Sequence, residues 1–361
     1  MTVSAVAQPY GIDSRASNTS LQIDSTAFPN RLSDIPALLS AGLGLDQTAQ
    51  GIIPYVPSAK LWSDGARKER FLALPNLDKA GFRYDTGWDF SENALLIKNF
   101  VLPLDDRDPT GTAKRIETRL LYKKNSVWNG FSYRWNDSQT DADLLPAAAT
   151  RSFVLTDTSG STSSYTWQFP SRSQCIQCHT NAANGTLSLN TAQMNDEFLY
   201  PATGVTDNQL RTLDHINFFT SALPSPPASL PRMPDPYDTS ATTESRARAY
   251  LAANCSMCHQ PGGGAPSTMD FRWQTATENT NTVGALPVRG DLGITNARII
   301  APREPDRSVL VKRMSERGVA HQMPPLGTSR VDTEGVALIR AWISEMPLPT
   351  SVDAAKWVLY Q

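Results

Sequence analysis

The sequence predicts an α+β multidomain protein with a β-rich, sandwich-like part in its N-terminal half, followed by α-helical domains. Two observations carry this prediction. Between residues 60 and 170, short runs of alternating apolar and polar residues are bounded by turn residues, a pattern typical of several short strands. After residue 240, apolar residues recur at helical spacing, most clearly at Leu338, Ile339, Trp342, Ile343 and Met346.

The strands of the β-rich part follow from apolar runs and turn signals. Residues 94–97 form an apolar run between turn residues. Asn129-Gly130 stands between aromatic residues, and this dipeptide favours the two-residue turn of a hairpin. Residues 151–156 and 165–169 flank a polar turn at 157–160, which predicts a second hairpin.

Helices are predicted from apolar spacing, capping residues and terminal glycines. Thr206 and Gln209 form a capping box, which predicts a helix from Thr206 to about Phe219. The other predicted helices are at 31–44, at 191–198, from Thr243 into Cys255, at 306–314 and at 332–346. The chain then divides into an extended segment (1–55), a β-rich domain (56–170), a segment ending in a Pro-rich linker (171–235) and a last domain (236–361).

All four cysteines and two of the four histidines fall in two copies of the pattern C-x-x-C-H, at Cys175, Cys178 and His179 and at Cys255, Cys258 and His259. Cysteines three residues apart share one face of a helical turn, where their sulfurs can form thioethers with the two vinyl groups of one haem. The following histidine projects from the same face and can ligate the iron. The sequence therefore predicts two covalently bound haem c groups.

Other uses of paired cysteines fit the sequence less well. A zinc ribbon places its two pairs about 15–20 residues apart, whereas residues 179–254 separate these two. A thioredoxin-like pair belongs in a βαβ unit, and structural disulfides belong in small secreted domains. Lys98, in a predicted strand, raises the alternative of a lysine crosslinked to haem, but no haem motif lies in that part of the chain.

The second axial ligands are predicted from the methionines and the remaining histidines. For the second haem the first choice is Met323, in a Met-Pro-Pro loop, with His321 and Met314 as alternatives. For the first haem the choice is His215, on the helix predicted from Thr206. Met194, Met233 or an open coordination position remain alternatives there.

Composition excludes several classes of protein. The 361 residues include 33 Lys+Arg and 35 Asp+Glu, which gives a net charge of −2 without the basic cluster that nucleic acid requires. No apolar run approaches the roughly 18 residues of a membrane span. Haem attachment to C-x-x-C-H occurs outside the bacterial cytoplasmic membrane, so the chain is expected to be exported. Ala5-Val6-Ala7 is either the end of a removed signal peptide, with Gln8 as the mature start, or part of an ordinary tail.

Residues 240–348 resemble a class I cytochrome c, with a C-x-x-C-H helix, a Met-Pro-Pro loop and a C-terminal amphipathic helix. From about residue 55 to 348, the chain resembles a family of bacterial dihaem c-type cytochromes with an N-terminal β-domain. The segments that carry this second resemblance are 61–66, 117–121, 132–137, 169–172 and 246–251. The resemblance implies an exported redox protein but no particular reaction.

The expected function is that of a periplasmic dihaem cytochrome that carries single electrons between two redox partner proteins. An electron-transfer protein fits better than a peroxidase-type enzyme. The predicted chain has a β-domain and lacks the layout of two class I cytochrome domains that such an enzyme would have. A dihaem peroxidase is one alternative. The other is a binding module, in which the β-domain docks a polysaccharide or partner and the haems conduct electrons.

Overall fold

The computed structural model describes residues 8–19, 21, 23, 24, 28–35, 38 and 51–348. These residues belong to two compact units, Met1–Ser58 with Ala66–Arg232 and Ala59–Gly65 with Met233–Gln361. The Ala5–Ala7 site lies outside the described residues. Of the helix predicted at 31–44, a 3-10 turn at Leu32–Asp34 is described, and most of the rest lies outside.

The first unit is built on a six-stranded sheet whose strands follow one another in chain order, each antiparallel to the next. Its strands are β1 (Ile52–Pro54), β2 (Arg67–Ala73), β3 (Leu95–Leu102), β4 (Lys114–Lys124), β5 (Val127–Trp135) and β6 (Ala142–Leu144). Such a meander forms from local hairpins, which the short alternating runs of this sequence favour.

Both faces of the sheet are covered. One face packs against the N-terminal segment, in a core that includes Leu21, Phe28, Ile35, Leu120, Tyr122 and Phe131. The other face carries a second apolar core with the segment that contains the first C-x-x-C-H motif, including Leu72, Leu96, Trp128, Leu189, Met194 and Leu213. Because side chains of a strand alternate between faces, each strand supplies residues to both cores.

The rest of the first unit consists of short elements. Strands β7 (Ala149–Thr156) and β8 (Thr162–Phe169) form the hairpin predicted around 157–160. They are followed by α1 (Arg172–Cys178), α2 (Thr191–Met194), β9 (Glu197–Tyr200), β10 (Val205–Asn208) and α3 (Gln209–His215). The helix predicted at 191–198 is therefore shorter than expected, because its second half pairs as β9 with β10.

Two local predictions are wrong for identifiable reasons. Asn129-Gly130 lies inside β5, and the chain turns instead at Asn125 and Ser126, which both have positive φ as a two-residue hairpin turn requires. The helix predicted from Thr206 begins at Gln209, because Thr206 pairs within a sheet and the Asn208 side chain caps the helix.

The second unit contains three α-helices in its described part, α4 (Thr243–Asn254), α5 (Val309–Met314) and α6 (Thr333–Glu345). They lie where the sequence predicts helices. Helices α4 and α6 pack closely because Gly335 has no side chain, and a Cβ there would overlap the Tyr250 ring. The buried Asp332 carboxylate caps α6 by accepting from Gly335 N, and it also accepts from Tyr237 Oη.

The predicted fold class, a sandwich-like β-domain followed by α-helical haem domains of which the last is class I cytochrome c-like, is wrong. Helix makes up only 19 % of the described chain, in six α-helices, and the largest regular assembly there is the six-stranded sheet. Helices α1, α2 and α3 have 7, 4 and 7 residues. Helices this short cannot enclose a core of their own, so they pack on the sheet.

Among the described residues, no helix is both long enough and apolar enough to cross a membrane. This agrees with the absence of a long apolar run from the sequence.

Candidate haem sites

The first C-x-x-C-H motif lies on α1, just after β8. Ser171 caps this helix, since its Oγ accepts from Gln174 N while Gln174 Oε1 accepts from Ser171 N. Cys175 and Cys178 are half-buried thiols one turn apart. His179 is the C-cap residue, and its N–H donates to the Cys175 carbonyl. The cap therefore fixes two sulfurs and an imidazole on one helical turn.

Two glycines allow the chain to approach this motif closely. A Cβ at Gly130 would lie 2.7 Å from Cys175 Cβ and 3.0 Å from its Sγ, distances at which one of the two would have to move. Gly185 has a φ of +69°, and a Cβ there would overlap the Trp128 ring. The motif is thus seated directly on strand β5, under the loop that follows α1.

The environment of His179 selects one tautomer of its ring. The Nδ1 atom lies 2.5 Å from the Gly185 carbonyl oxygen. A carbonyl can only accept, so Nδ1 carries the proton and Nε2 keeps its lone pair. Burial lowers the pKa of His179 to about 4, with Lys98 and Arg119 adding to the shift, so the ring is neutral at pH 7. A neutral imidazole held through Nδ1 is the usual form of a histidine that ligates a metal.

Three cationic side chains form a row on the same face of the sheet. Register pairs Arg70 on β2 with Lys98 on β3, and Lys98 with Arg119 on β4; we call these three residues the cationic row. Burial, together with the charges of its two neighbours in the row, lowers the pKa of Lys98 to about 7. The charges of Lys98 and Arg119 also act on Cys175 and His179, which places the row beside the motif.

One carboxylate compensates part of this charge. Glu117 is fully buried and accepts hydrogen bonds from Arg119 Nε (2.7 Å) and Nη2 (2.9 Å), Ser132 Oγ (2.5 Å) and Trp167 Nε1 (2.8 Å). These bonds use both of its oxygens. In the described part of the chain no carboxylate forms an ion pair with Arg70 or Lys98, although Arg70 is only 3 % exposed.

The second motif begins at the end of α4, which Thr242 caps. Cys255 is the C-cap residue, and burial, with Cys258 nearby, raises its pKa to about 12. His259 Nδ1 lies 3.0 Å from Ser267 Oγ, and burial lowers the pKa of this ring as well. A serine hydroxyl can donate or accept, so this contact fixes the ring through Nδ1 without selecting its tautomer.

Arg313 connects this histidine to the loop of Met323. Its backbone carbonyl accepts from Met323 N at 2.9 Å, and its Nη1 donates to the His321 carbonyl at 3.0 Å. The Arg313 charge contributes to the lowered pKa of His259. Met323 itself is half-buried. The loop with the predicted ligand is thus held by a residue whose charge reaches the predicted proximal histidine.

The two alternative ligands of the second haem are engaged elsewhere. His321 Nε2 lies 2.5 Å from Glu316 Oε2, so this nitrogen is used by an ion pair or charged hydrogen bond. Met314 is 5 % exposed in the apolar core shared by α4, α5 and α6. Both alternatives thus have established contacts of their own, an ion pair for His321 and the apolar core for Met314.

A short segment also forms hydrogen bonds with the chain that follows the loop of Met323. Residues 59–65 belong to the second unit, where Trp62 N donates to Asn254 Oδ1, one residue before Cys255. The Asp64 carboxylate accepts from the backbone N–H groups of Ser329 and Arg330 and from Ser329 Oγ, at 2.9–3.1 Å. This segment thus joins the start of the second motif to the chain that follows Met323.

Replacing Asp64 with Asn is expected to lower the free energy of unfolding of the second unit by roughly 2 kcal/mol, because hydrogen bonds to a charged acceptor are lost. Asn tolerates the positive φ of 54° at this position, so backbone strain does not confuse the result. Urea unfolding followed by circular dichroism measures the change. Asp306→Asn, which removes a highly exposed carboxylate of the same unit, is the control and should have little effect. Equal effects of the two substitutions would contradict this role of Asp64.

The residues proposed as the second ligand of the first haem lie in different surroundings. His215, at the end of α3, is exposed, and its ring stacks on that of Tyr10 with 3.5 Å between the centroids. It lines a surface pocket with Arg211 and Asp214. Met194 is buried in the apolar core on the motif face of the sheet, and Met233 is buried in the second unit. The described contacts of these three side chains do not bring any of them to His179.

The structure therefore brings together Cys175, Cys178 and His179 on one turn, and Cys255, Cys258 and His259 at another, as spacing alone requires. Sequence reasoning missed the cationic row with Glu117, and it missed Arg313 and Asp64. For the row, no single strand carries a signal, because its three residues become neighbours only when β2, β3 and β4 pair.

No family model, curated protein or solved structure matches this chain. The function is therefore argued from the residues. The donor set and the close seating of the motifs fit haem c: each site offers two thiols and a histidine whose Nδ1 is already bonded.

Proposed function

We propose that the protein is a dihaem c-type cytochrome that transfers single electrons between partner proteins. One observation supports this most directly. At both C-x-x-C-H motifs the histidine is held through Nδ1, by the Gly185 carbonyl and by Ser267 Oγ, and at His179 the carbonyl partner leaves the lone pair on Nε2. Bare sequence spacing does not require this arrangement, but an iron ligand does.

In this proposal Cys175 and Cys178 hold the first haem by thioethers and His179 is its proximal ligand. Cys255, Cys258 and His259 do the same for the second haem, with Met323 as its second ligand. Haem supplies the one-electron iron couple. The chain sets the ring tautomer of His179, keeps both histidines neutral and places charges that shift the potentials.

The second ligand of the first haem remains a proposal among His215, Met194, Met233 and an open position. The exposed, Tyr10-stacked position of His215 favours it least, because it would have to break that stacking to reach iron. The same proposal includes export to the periplasm and redox partner proteins as donor and acceptor. It also includes membership of the dihaem family that the sequence resembles.

The test is the purified protein, produced in a bacterium with a haem-attachment system. We expect the intact mass to exceed that of the chain by two haems, and reduction to take up one electron for each. Low-spin spectra that do not change with hydrogen peroxide support electron transfer. A protein that carries no haem, or one zinc ion, contradicts the proposal. A high-spin haem that turns over peroxide would make the protein a peroxidase instead.

A further inference from the structure

The cationic row is a charged feature that the attachment of haem does not by itself explain. Arg70, Lys98 and Arg119 are adjacent across three strands. Glu117 supplies the one carboxylate that pairs with them in the described chain, and it is bound to Arg119. The cluster therefore holds two more positive than negative groups. Taking such charges out of water is unfavourable unless an anion pairs with them.

The position of the cationic row in the sheet indicates which anion could bind to it. Arg119 is paired in register with Ser132, and Ser132 is two residues from Gly130 on the same face of β5, roughly 7 Å away. Gly130 is the residue on which Cys175 packs. The charges of Lys98 and Arg119 act on Cys175 and His179. Whatever is bound to the motif thus lies next to the row.

We propose that Arg70, Lys98 and Arg119 form the carboxylate-binding wall of the first haem site, and that the two propionates of that haem are the carboxylates it binds. This inference rests on the proposed function and assigns residues to it. The charges match when Lys98, whose pKa is about 7 without a bound anion, is protonated beside the ligand: two propionates carry two negative charges, and the cluster then has two positive charges in excess. Arginine is suited to the task, since its planar guanidinium pairs with a carboxylate through two parallel hydrogen bonds.

Additional observations support a ligand-binding role over a purely structural one. A buried arginine that serves the fold is normally paired within the chain, as Arg119 is with Glu117. Arg70 is 3 % exposed, and the acidic group that acts on it is the Tyr55 phenol, which burial keeps protonated and therefore neutral at pH 7. Lys98 contacts the Phe100 ring at 5.5 Å from its centroid, a weak partner for an ammonium group.

The row also bears on the reduction potential of the first haem. Reduction removes one positive charge from iron, so nearby cations stabilise the reduced form. Removing one cation of the row should lower the reduced-to-oxidised ratio of this haem by about tenfold at a fixed solution potential. The reason is that charges inside a protein are only weakly screened by solvent. For a one-electron couple a tenfold change is a shift of about 59 mV.

The experiment uses the full-length holoprotein with Arg70→Met, which keeps an unbranched apolar side chain in place of the methylene stem and removes the charged guanidinium. Lys98→Met is a second variant in case the first does not fold. Arg67→Met is the matched control, since Arg67 is an exposed residue on the other face of the same strand. Intact mass gives the number of haems, a redox titration gives two potentials, and resonance Raman spectra report the bending mode of the propionates.

We expect Arg70→Met and Lys98→Met to keep two haems, to lower one potential and to shift one set of propionate modes, while Arg67→Met changes neither. If these variants keep two haems but show unshifted propionate modes and the potentials of the control, the assignment of the cationic row to the propionates is overturned. The proposed function is then unaffected. A wild-type chain without haem would overturn both. Succinate tests a free ligand: a spectral response that saturates in the wild type and disappears in Arg70→Met would assign the row to a free dicarboxylate and overturn the proposal.

Discussion

A chain in which Cys175 and Cys178 are both replaced by Ser is expected to carry one covalently bound haem instead of two. A thioether needs sulfur, and the hydroxyl of serine cannot replace it. The exchange of sulfur for oxygen is small, and Ser171 and Gln174 still cap α1, so the helix should form as before. Intact mass spectrometry of the purified protein measures the loss directly, as a decrease equal to one haem.

The reciprocal variant, with Cys255 and Cys258 replaced by Ser, is the matched control. It should also carry one haem, and the two single-haem proteins should differ in potential because their surroundings differ. The Cys175/Cys178 variant retains the haem site beside Arg313, and the Cys255/Cys258 variant retains the haem site beside the cationic row. Two haems in either variant would show that the thiols do not attach them and would end the proposal for that motif.

Loss of the first haem should also destabilise the first unit. A group that binds only the folded chain stabilises it, and the buried Arg70 and Lys98 would lose the anions that we assign to them. We therefore expect the Cys175/Cys178 variant to unfold at lower urea concentration than the Cys255/Cys258 variant when strand signals are followed. This comparison connects the number of haems to the packing of the sheet.

The sequence was sufficient for features that depend on neighbouring residues. The 157–160 hairpin and the helices at 243–254 and 333–345 were predictable, because capping and apolar spacing act within one or two turns. The motif residues share a turn for the same reason. The prediction of the fold class was wrong for the short helices. Whether such helices pack against one another or on a sheet depends on contacts between distant segments of the chain.

Gly130 shows how such distant contacts override a local signal. Asn129-Gly130 is a strong hairpin dipeptide, yet it lies inside β5, and Asn125 and Ser126 make the turn. The glycine is required because Cys175, 45 positions further along the chain, lies against it. A glycine demanded by close approach looks the same in sequence as a glycine demanded by a turn.

The cationic row could not be predicted because it exists only through register. Arg70, Lys98 and Arg119 are far apart in sequence and become neighbours when β2, β3 and β4 pair. A register shifted by one residue would place Lys98 on the opposite face. Each residue alone looks like an ordinary strand lysine or arginine, and the unbalanced charge becomes visible only when the three are placed beside Glu117.

Replacing Met323 with Ala is expected to abolish the far-red charge-transfer band of an iron–methionine bond and to lower the potential of the second haem. A thioether is a soft ligand that favours the reduced iron, so its loss should reduce the reduced-to-oxidised ratio at fixed poise by at least about tenfold, or 59 mV. Arg313 still holds the chain at this position through its carbonyl, which accepts from the backbone N–H of residue 323. Visible spectroscopy of the oxidised protein and a redox titration measure both effects.

Met314→Leu is the control that separates ligand from core. Met314 is buried among apolar side chains of α4, α5 and α6, and leucine fills nearly the same volume, so this variant should lose less than about 1.5 kcal/mol of stability and keep the band. His321→Ala should also keep the band, since it only frees Glu316 from one of its partners. If the band survives in Met323→Ala and disappears in Met314→Leu, the sulfur that binds iron comes from α5, and the loop at Met323 would be explained by packing alone.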